Sequence, residues 1–217
     1  MQEIVLAGTS AAASIVTITK VVNDFMEGRV SWREKAEKIK TLNQEVNSLK
    51  DNIPMMFRDN ENLLGYKDLH KEAQEFLIVV GKLDPLIRNA YEDKSRALAH
   101  IEDLHKYTMR VAYPVMDSVM YTVEQKYTFL KEDGAVTRRL YPIHDMFDDM
   151  HSRIEMAWEN KTTELDKKVK GYLEDLFRNL ATLMRYLDDR IKELSEKMKE
   201  ESKAFENLLR TDEVKEE

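Results

Sequence analysis

The sequence of 217 residues contains no cysteine, only 4 prolines and only 6 glycines. Without cysteine, the chain does not belong to the small secreted domains that disulfide bonds hold together. Basic side chains are outnumbered by acidic ones, 34 to 41, and a net charge of -7 argues against a nucleic-acid-binding module, which usually carries a basic excess. With 42% hydrophobic and 35% charged residues, the composition is too apolar for a disordered chain and favours amphipathic helices with wide solvated faces.

The sequence also predicts neither a membrane-spanning helix nor a secretory signal. Residues 4–19 form an uncharged run of 16 residues, whereas a spanning helix needs about 20. The first three residues, Met1-Gln2-Glu3, lack the positive charge of a secretory signal. We therefore expect a cytoplasmic protein without a transmembrane helix, peripheral at a membrane if residues 4–25 associate with lipid.

The sequence lacks the short motifs that mark common enzyme sites. It contains no glycine-rich dinucleotide or phosphate loop, no Gly-x-Ser-x-Gly turn, no His-Glu-x-x-His pair and no cysteine nucleophile. We therefore expect a non-enzymatic protein that uses no cofactor.

Helical periodicity runs through almost the whole chain, and no stretch alternates for long enough to indicate a sheet. The prolines at 54, 85, 114 and 142 and the glycines at 28, 81 and 134 are interpreted as helix boundaries, although Pro114 could either kink or end a helix. The sequence predicts an all-α fold. The expected helices lie near 3–27, 32–53, 60–81, 85–112, 114–132 and 142–210.

Apolar residues recur every eleven positions in the C-terminal third of the chain. The longest track is Ile143, Ile154, Leu165, Leu176, Leu187, Met198 and Leu209. Two further tracks comprise Phe147, Trp158, Val169, Leu180 and Ile191, and Tyr172, Leu183, Leu194 and Phe205. Because eleven residues span three helical turns, each track forms an almost straight stripe. The pattern predicts one coiled-coil-like helix over about 142–210 in an elongated helical bundle. Residues 1–141 are expected to form shorter helices that pack on it within a single domain, and 211–217 are expected to form a disordered tail.

The N-terminal segment places several apolar residues on one helical face. These residues are Ile4, Ile15, Ile18, Val22 and Phe25. Two interpretations stay open: the helix is buried in the bundle, or it is conditionally exposed and inserts into a bilayer or a partner groove. The segment lacks the Lys- and Arg-rich polar face that is typical of interfacial helices.

The run AGTSAAASIVTITKVV, then Phe25, then KAEKIKTLNQEVNSLKDNI resembles the start of the fungal HeLo and HeLo-like helical domains. The resemblance covers about residues 4–53. Those domains belong to cell-death proteins whose N-terminal helix is implicated in membrane targeting, so the resemblance implies a membrane role for residues 4–25. The chain departs from that family in its very long predicted C-terminal helix.

Some acidic residues and histidines have the spacing of metal ligands in helical bundles, which hold iron through Glu-x-x-His pairs. Glu102 and His105 have this spacing, and Asp148 and His151 form an aspartate version of it. One helical face carries His144, Asp148, His151 and Glu155. The sequence identifies no further inward carboxylates, so a solvated surface, or an interfacial His105 with a hydrogen-bond partner, is the simpler interpretation. We expect no metal site.

The favoured interpretation is a helical scaffold that packs against a protein partner or a second copy of itself, and not against nucleic acid. The last apolar residues, Phe205, Leu208 and Leu209, are expected to pack against another subunit, because the shorter helices cannot cover the whole predicted rod. The first alternative is a membrane-active effector of the cell-death or pore-forming type that uses residues 4–25. A helical metal-binding protein is a more distant alternative.

Overall fold

The structure is a computed structural model that describes residues 13–22 and 32–213. Within these ranges the chain is helical apart from short connections, and no strand occurs there. The predicted all-α class is therefore confirmed, together with a long C-terminal helix.

The helices follow one another with short connections. They are α1 (13–22), α2 (Trp32–Glu92), α3 (Ala97–Tyr107), α4 (Tyr113–Tyr121), α5 (Thr128–Glu132), α6 (Gly134–Glu159) and α7 (Lys168–Glu213). A 3₁₀ turn, Lys94–Arg96, precedes α3, and the π-helical turns Thr108–Ala112 and Thr122–Lys126 flank α4. The chain divides into two units: 1–63 with 192–217, and 64–191.

Helix α2 is one helix of 61 residues, and the predicted ends at Pro54, Gly81 and Pro85 are wrong. A proline inside a helix costs about 3 kcal/mol because it removes one hydrogen bond and crowds the preceding turn. The buried face compensates for this cost, since each large apolar side chain contributes about 1.5–3 kcal/mol when it leaves water. That face comprises Leu69, Ala73, Phe76, Val80 and Leu83, which recur every three or four residues, and continues into Ile87 and Ala90.

Most of the other predicted boundaries are shifted as well. The helical backbone continues from α3 through a π-helical turn into α4, and Pro114 lies in the first turn of α4, where its missing N–H is tolerated. The predicted helix end at 132 is confirmed, since α5 ends at Glu132. Gly134 is also the first residue of α6, whose first turn is capped by the Asp133 carboxylate: it accepts hydrogen bonds from the backbone amides of Ala135 at 2.8 Å and Val136 at 3.4 Å. Pro142 lies inside α6 instead of opening a helix.

The C-terminal third contains two helices, so the predicted start of its long helix at residue 142 is wrong. The second of these helices continues to Glu213, so the predicted disordered tail of 211–217 is wrong for residues 211–213, and 214–217 lie outside the described residues. Helix α6 ends at Glu159, and Lys161 adopts a left-handed backbone conformation with φ 49°. Helix α7 begins at Lys168, whose amide donates to Oδ1 of Asp166 at 2.9 Å. Buried positions of the longest eleven-residue track lie on both sides of this turn. The track therefore marks the inner faces of two helices and not one continuous stripe.

Helices α6 and α7 run antiparallel within unit 64–191. The Tyr172 hydroxyl donates to Oδ2 of Asp149 at 3.5 Å, and farther along α7 the Tyr186 hydroxyl donates to Asp133, which precedes α6. As α7 proceeds, the residues that it contacts have lower and lower sequence numbers. Helices α6 and α7 therefore form a helical hairpin. Helix α7 also runs antiparallel to α2. Nε2 of His70 lies 3.0 Å from Oδ1 of Asp188, whereas Tyr91, farther along α2, donates to the carbonyl oxygen of Asp166, just before α7.

The segment from α3 to α5 completes the bundle. Tyr107 donates to the carbonyl oxygen of Val79 at 3.4 Å, and Ser118 donates to Glu72 at 2.7 Å, so this segment runs antiparallel to α2. It also runs antiparallel to α6, because Tyr113 donates to Asp148, whereas Tyr141, earlier in α6, donates to Glu124, later in this segment. Unit 64–191 is therefore an up-down-up-down four-helix bundle. At its centre the rings of Phe76 and Phe147 meet edge to face, with centroids 5.3 Å apart.

Two large apolar residues near helix ends in this unit are exposed, and one of them, Trp158, belongs to a predicted apolar track. Leu98 in α3 and Trp158 in α6 both face solvent, whereas Leu104 in α3 is fully buried. The pattern therefore indicates the buried side of each helix but misplaces residues near helix ends, where the bundle no longer covers them.

Candidate functional site

The residues that we predicted as contact residues lie in the first unit, and the structure describes only some of them. Within α1, Ser14 and Val21 are buried, Ile15 and Val22 are exposed, and Ile18 is half-buried. The hydroxyl of Ser14 donates to a carboxylate oxygen of Glu45, which joins α1 to α2. Ile4 and Phe25 lie outside the described residues.

The first half of α2 carries a second exposed apolar pair. Ile39 and Val46 are exposed, although apolar residues recur here with helical spacing. Helix α7 meets α2 in this unit through an ion pair in which Nζ of Lys197 lies 2.6 Å from Oδ2 of Asp59. The residues Phe205, Leu208 and Leu209 belong to α7, but their side chains lie outside the described part.

Two of the predicted ligand motifs meet inside the four-helix bundle. His105 lies in the last turn of α3, and His151 and Glu155 lie one turn apart on α6. One ligand atom of each of these three residues lies within 4.8 Å of the others. The antiparallel packing of α3 against α6 creates this cluster, which we call the histidine cluster.

Aromatic rings hold both imidazoles in place. The ring of His105 stacks on that of Trp158, with centroids 4.3 Å apart and planes 7° from parallel. His151 meets the ring of Tyr113 edge-on at 4.8 Å. The hydroxyl of Tyr113 donates to Oδ1 of Asp148 at 2.7 Å, so its ring is fixed in turn. The imidazole planes are therefore largely preset.

The polar atoms of the histidine cluster are incompletely satisfied. The Nε2 atoms of His105 and His151 are both buried, and neither has a hydrogen-bond partner among the described residues. Burial lowers the pKa of His151, and nearby His105 acts in the same direction, whereas Glu155 and Asp148 oppose this shift. A neutral His151 at pH 7 has a lone pair available to a ligand.

The remaining members of the predicted motifs are engaged elsewhere. Glu102 forms an ion pair with Lys106 at 2.6 Å, so the Glu-x-x-His pair of α3 contributes only its histidine. Nδ1 of His144 lies 3.5 Å from Oδ2 of Asp148. The sequence thus identified all three members of the histidine cluster but assigned them to two separate motifs, because no local pattern indicates that α3 packs against α6.

No helix in the described ranges 13–22 and 32–213 is long and apolar enough to cross a membrane. Comparisons of the chain with protein-family models, with curated proteins and with solved structures give no match. The resemblance of residues 4–53 to HeLo-like domains therefore stays a prediction.

Proposed function

We propose that this chain is a non-enzymatic helical interaction protein whose partner is a second copy of itself. The observation that carries the proposal is the pair of exposed apolar sites in the first unit, Ile15 with Val22 on α1 and Ile39 with Val46 on α2. In each pair the residues lie seven positions apart. Two positions seven apart share one helical face, and this spacing is typical of helices that pack against other helices.

The local contacts explain why these residues are left uncovered. Helix α1 turns Ser14 and Val21 inward and hydrogen-bonds through Ser14 to Glu45, so the neighbouring residues Ile15 and Val22 face outward. Single exposed apolar residues are common on protein surfaces. Two spaced pairs in one unit are a stronger indication of an interface.

A second copy is the partner that the residues favour, because a twofold axis presents the same apolar pairs from both chains. Each of these four side chains is 40 to 51% exposed. Covering the exposed halves of eight such side chains gains roughly 5–11 kcal/mol. Association costs about 4–15 kcal/mol in lost freedom. We therefore expect a weak dimer that dissociates on dilution.

Sedimentation velocity over a range of concentrations tests the proposal. The mass should rise from one chain of 25.5 kDa towards two as the concentration increases. The double variant Ile39→Asp with Val46→Asp should sediment as a single chain. Ile78→Asp is the matched control, because Ile78 is equally exposed on α2 but belongs to the other unit, and it should dimerise normally.

A single-chain mass at every concentration would overturn the proposal, as would equal dimerisation of both variants. The parent protein and a double variant, Ile15→Asp with Val22→Asp, should also be mixed with anionic phospholipid vesicles. Vesicle leakage that depends on Ile15 and Val22, without self-association, would instead support the membrane-active alternative.

A further inference from the structure

We infer that the histidine cluster of His105, His151 and Glu155 binds one divalent transition-metal ion between α3 and α6, with Zn²⁺ as the ion that suits its ligands. This site is independent of the self-association proposed above, because it lies wholly within unit 64–191.

The ligand set has the right chemistry. Two imidazoles and one carboxylate form a common protein ligand set for zinc, and imidazole suits first-row transition ions generally. Three protein ligands leave a fourth position for water. Because His151 and Glu155 are four residues apart on α6, they project from one helical face with a fixed separation.

The distances require only a small adjustment. The three ligand atoms lie within 4.8 Å of one another. In the tetrahedral coordination of zinc, two ligand atoms bound at about 2.0–2.1 Å lie about 3.4 Å apart. The ligand atoms therefore need to close by up to about 1.4 Å, which rotation of the half-buried Glu155 and a shift of His105 along the face of Trp158 would supply.

The buried nitrogens supply an independent indication. His151 is only 7% exposed, and its Nε2 atom has no hydrogen-bond partner among the described residues, nor does that of His105. A buried polar atom without a partner is destabilising, and proteins generally satisfy such atoms. One ion would satisfy both nitrogens at once.

The backbone next to His105 is also unusual. The π-helical turn Thr108–Ala112 begins three residues after His105, at the junction of α3 and α4. Such turns often accompany functional sites because they re-aim neighbouring side chains. This turn places Tyr113, the first residue of α4, edge-on against His151.

The competing explanation is that Trp158, His105, His151 and Tyr113 form a purely aromatic stack. Titration of tag-free, chelator-treated protein with Zn²⁺ by calorimetry distinguishes the two. The metal site predicts one Zn²⁺ per chain and a higher Tm with zinc. Glu155→Gln and His105→Gln should weaken binding by at least about 10-fold, a loss that even outer-shell substitutions can cause.

Matched controls are present in the same helices. Glu102→Gln in α3 and His144→Gln in α6 remove the same chemical groups outside the cluster, and both should bind Zn²⁺ like the parent protein. No binding by the parent protein would overturn the inference. Equal binding by all four variants would place the ion elsewhere and would overturn it as well.

A second measurement leaves every ligand intact. The chain has two tryptophans, so Trp32→Phe leaves Trp158 as the only one. Since Trp158 stacks on His105, Co²⁺ bound in the cluster should quench its fluorescence and saturate at one ion per chain. Unchanged Trp158 fluorescence in the presence of excess Co²⁺ would contradict the site even if the ligand variants failed to fold.

Discussion

Tyr186 and Asp133 are joined by a hydrogen bond of 2.8 Å from the phenolic hydroxyl to Oδ2, across 53 positions of sequence. The hydroxyl of Tyr66 donates to the same oxygen at 2.7 Å. The other carboxylate oxygen caps the first turn of α6. One carboxylate therefore links α2, α6 and α7 at one end of the bundle.

Replacing this carboxylate with its amide should destabilise the bundle. Asp133→Asn keeps the shape of the side chain but removes the charge that four donors share, and hydrogen bonds to charged groups contribute about 1.5–3 kcal/mol each. We expect a loss of about 1–3 kcal/mol in the free energy of unfolding, measured by urea titration. Asp103→Asn, at an exposed position of α3, should change it by less than about 0.5 kcal/mol.

Asp133 should also account for part of the loss of folding stability in acid. Burial raises the pKa of Asp133, but hydrogen bonds from Tyr66, Tyr186 and two backbone amides outweigh this effect and hold the pKa below its ordinary value. In the unfolded chain an aspartate has a pKa of about 3.9. The stabilisation is thus fully present above that pH and is lost as the pH falls through the lower folded pKa.

Urea titrations from pH 7 to pH 3 should therefore show a stability that decreases in acid. Asp133→Asn should have a shallower pH dependence than the parent protein over the acid part of this range. If the two proteins had the same pH dependence, Asp133 would not contribute to the loss of stability in acid.

A matched pair of leucines in α3 tests which side of this helix faces the core. Leu104 is fully buried, so Leu104→Ala should cost about 2–5 kcal/mol through lost burial and a residual cavity. Leu98 is exposed, so Leu98→Ala should cost less than about 0.5 kcal/mol. Thermal unfolding measures both, and equal losses would show that the burial assigned to α3 is incorrect.

Two glycines of α2 should respond in opposite ways to alanine. A Cβ at Gly81 meets nothing within 4 Å, and replacing a mid-helix glycine with alanine gains about 0.5–1 kcal/mol. A Cβ at Gly65 would lie 2.6 Å from Cζ of Phe129 and 3.1 Å from Cγ of Tyr127. Such overpacking costs about 1–3 kcal/mol, so Gly65→Ala should be less stable than Gly81→Ala by about that amount. Urea unfolding of the two variants provides the comparison.

The sequence predicted buried faces better than helix boundaries. The positions of Phe76 and Leu180 follow from apolar spacing, because burial repeats with the helical period. The helix boundaries were harder to predict. Pro85, for example, is tolerated inside α2 because the buried face of this helix continues on both sides of it. The turn before α7 contains neither glycine nor proline. A local indication that a helix begins here is the cap formed by Asp166.

The histidine cluster could not be predicted as one site from the sequence either. Sequence spacing selected His105 from one motif and His151 with Glu155 from another. Their approach depends on the register between α3 and α6, which is set by packing throughout the bundle. Ile39 and Val46 have the apolar spacing that is typical of a buried face and yet are exposed, because apolar spacing does not indicate whether a neighbouring helix covers that face.

The central claim is that the C-terminal third turns back on itself between α6 and α7. The chain has no cysteine, so the double variant Asp149→Cys with Tyr172→Cys can carry two nitroxide labels and no others. Double electron–electron resonance should report a distance below about 20 Å, since packed helix axes lie about 8–10 Å apart. One continuous helix would separate these two positions, 23 residues apart, by about 35 Å, and that result would contradict the hairpin.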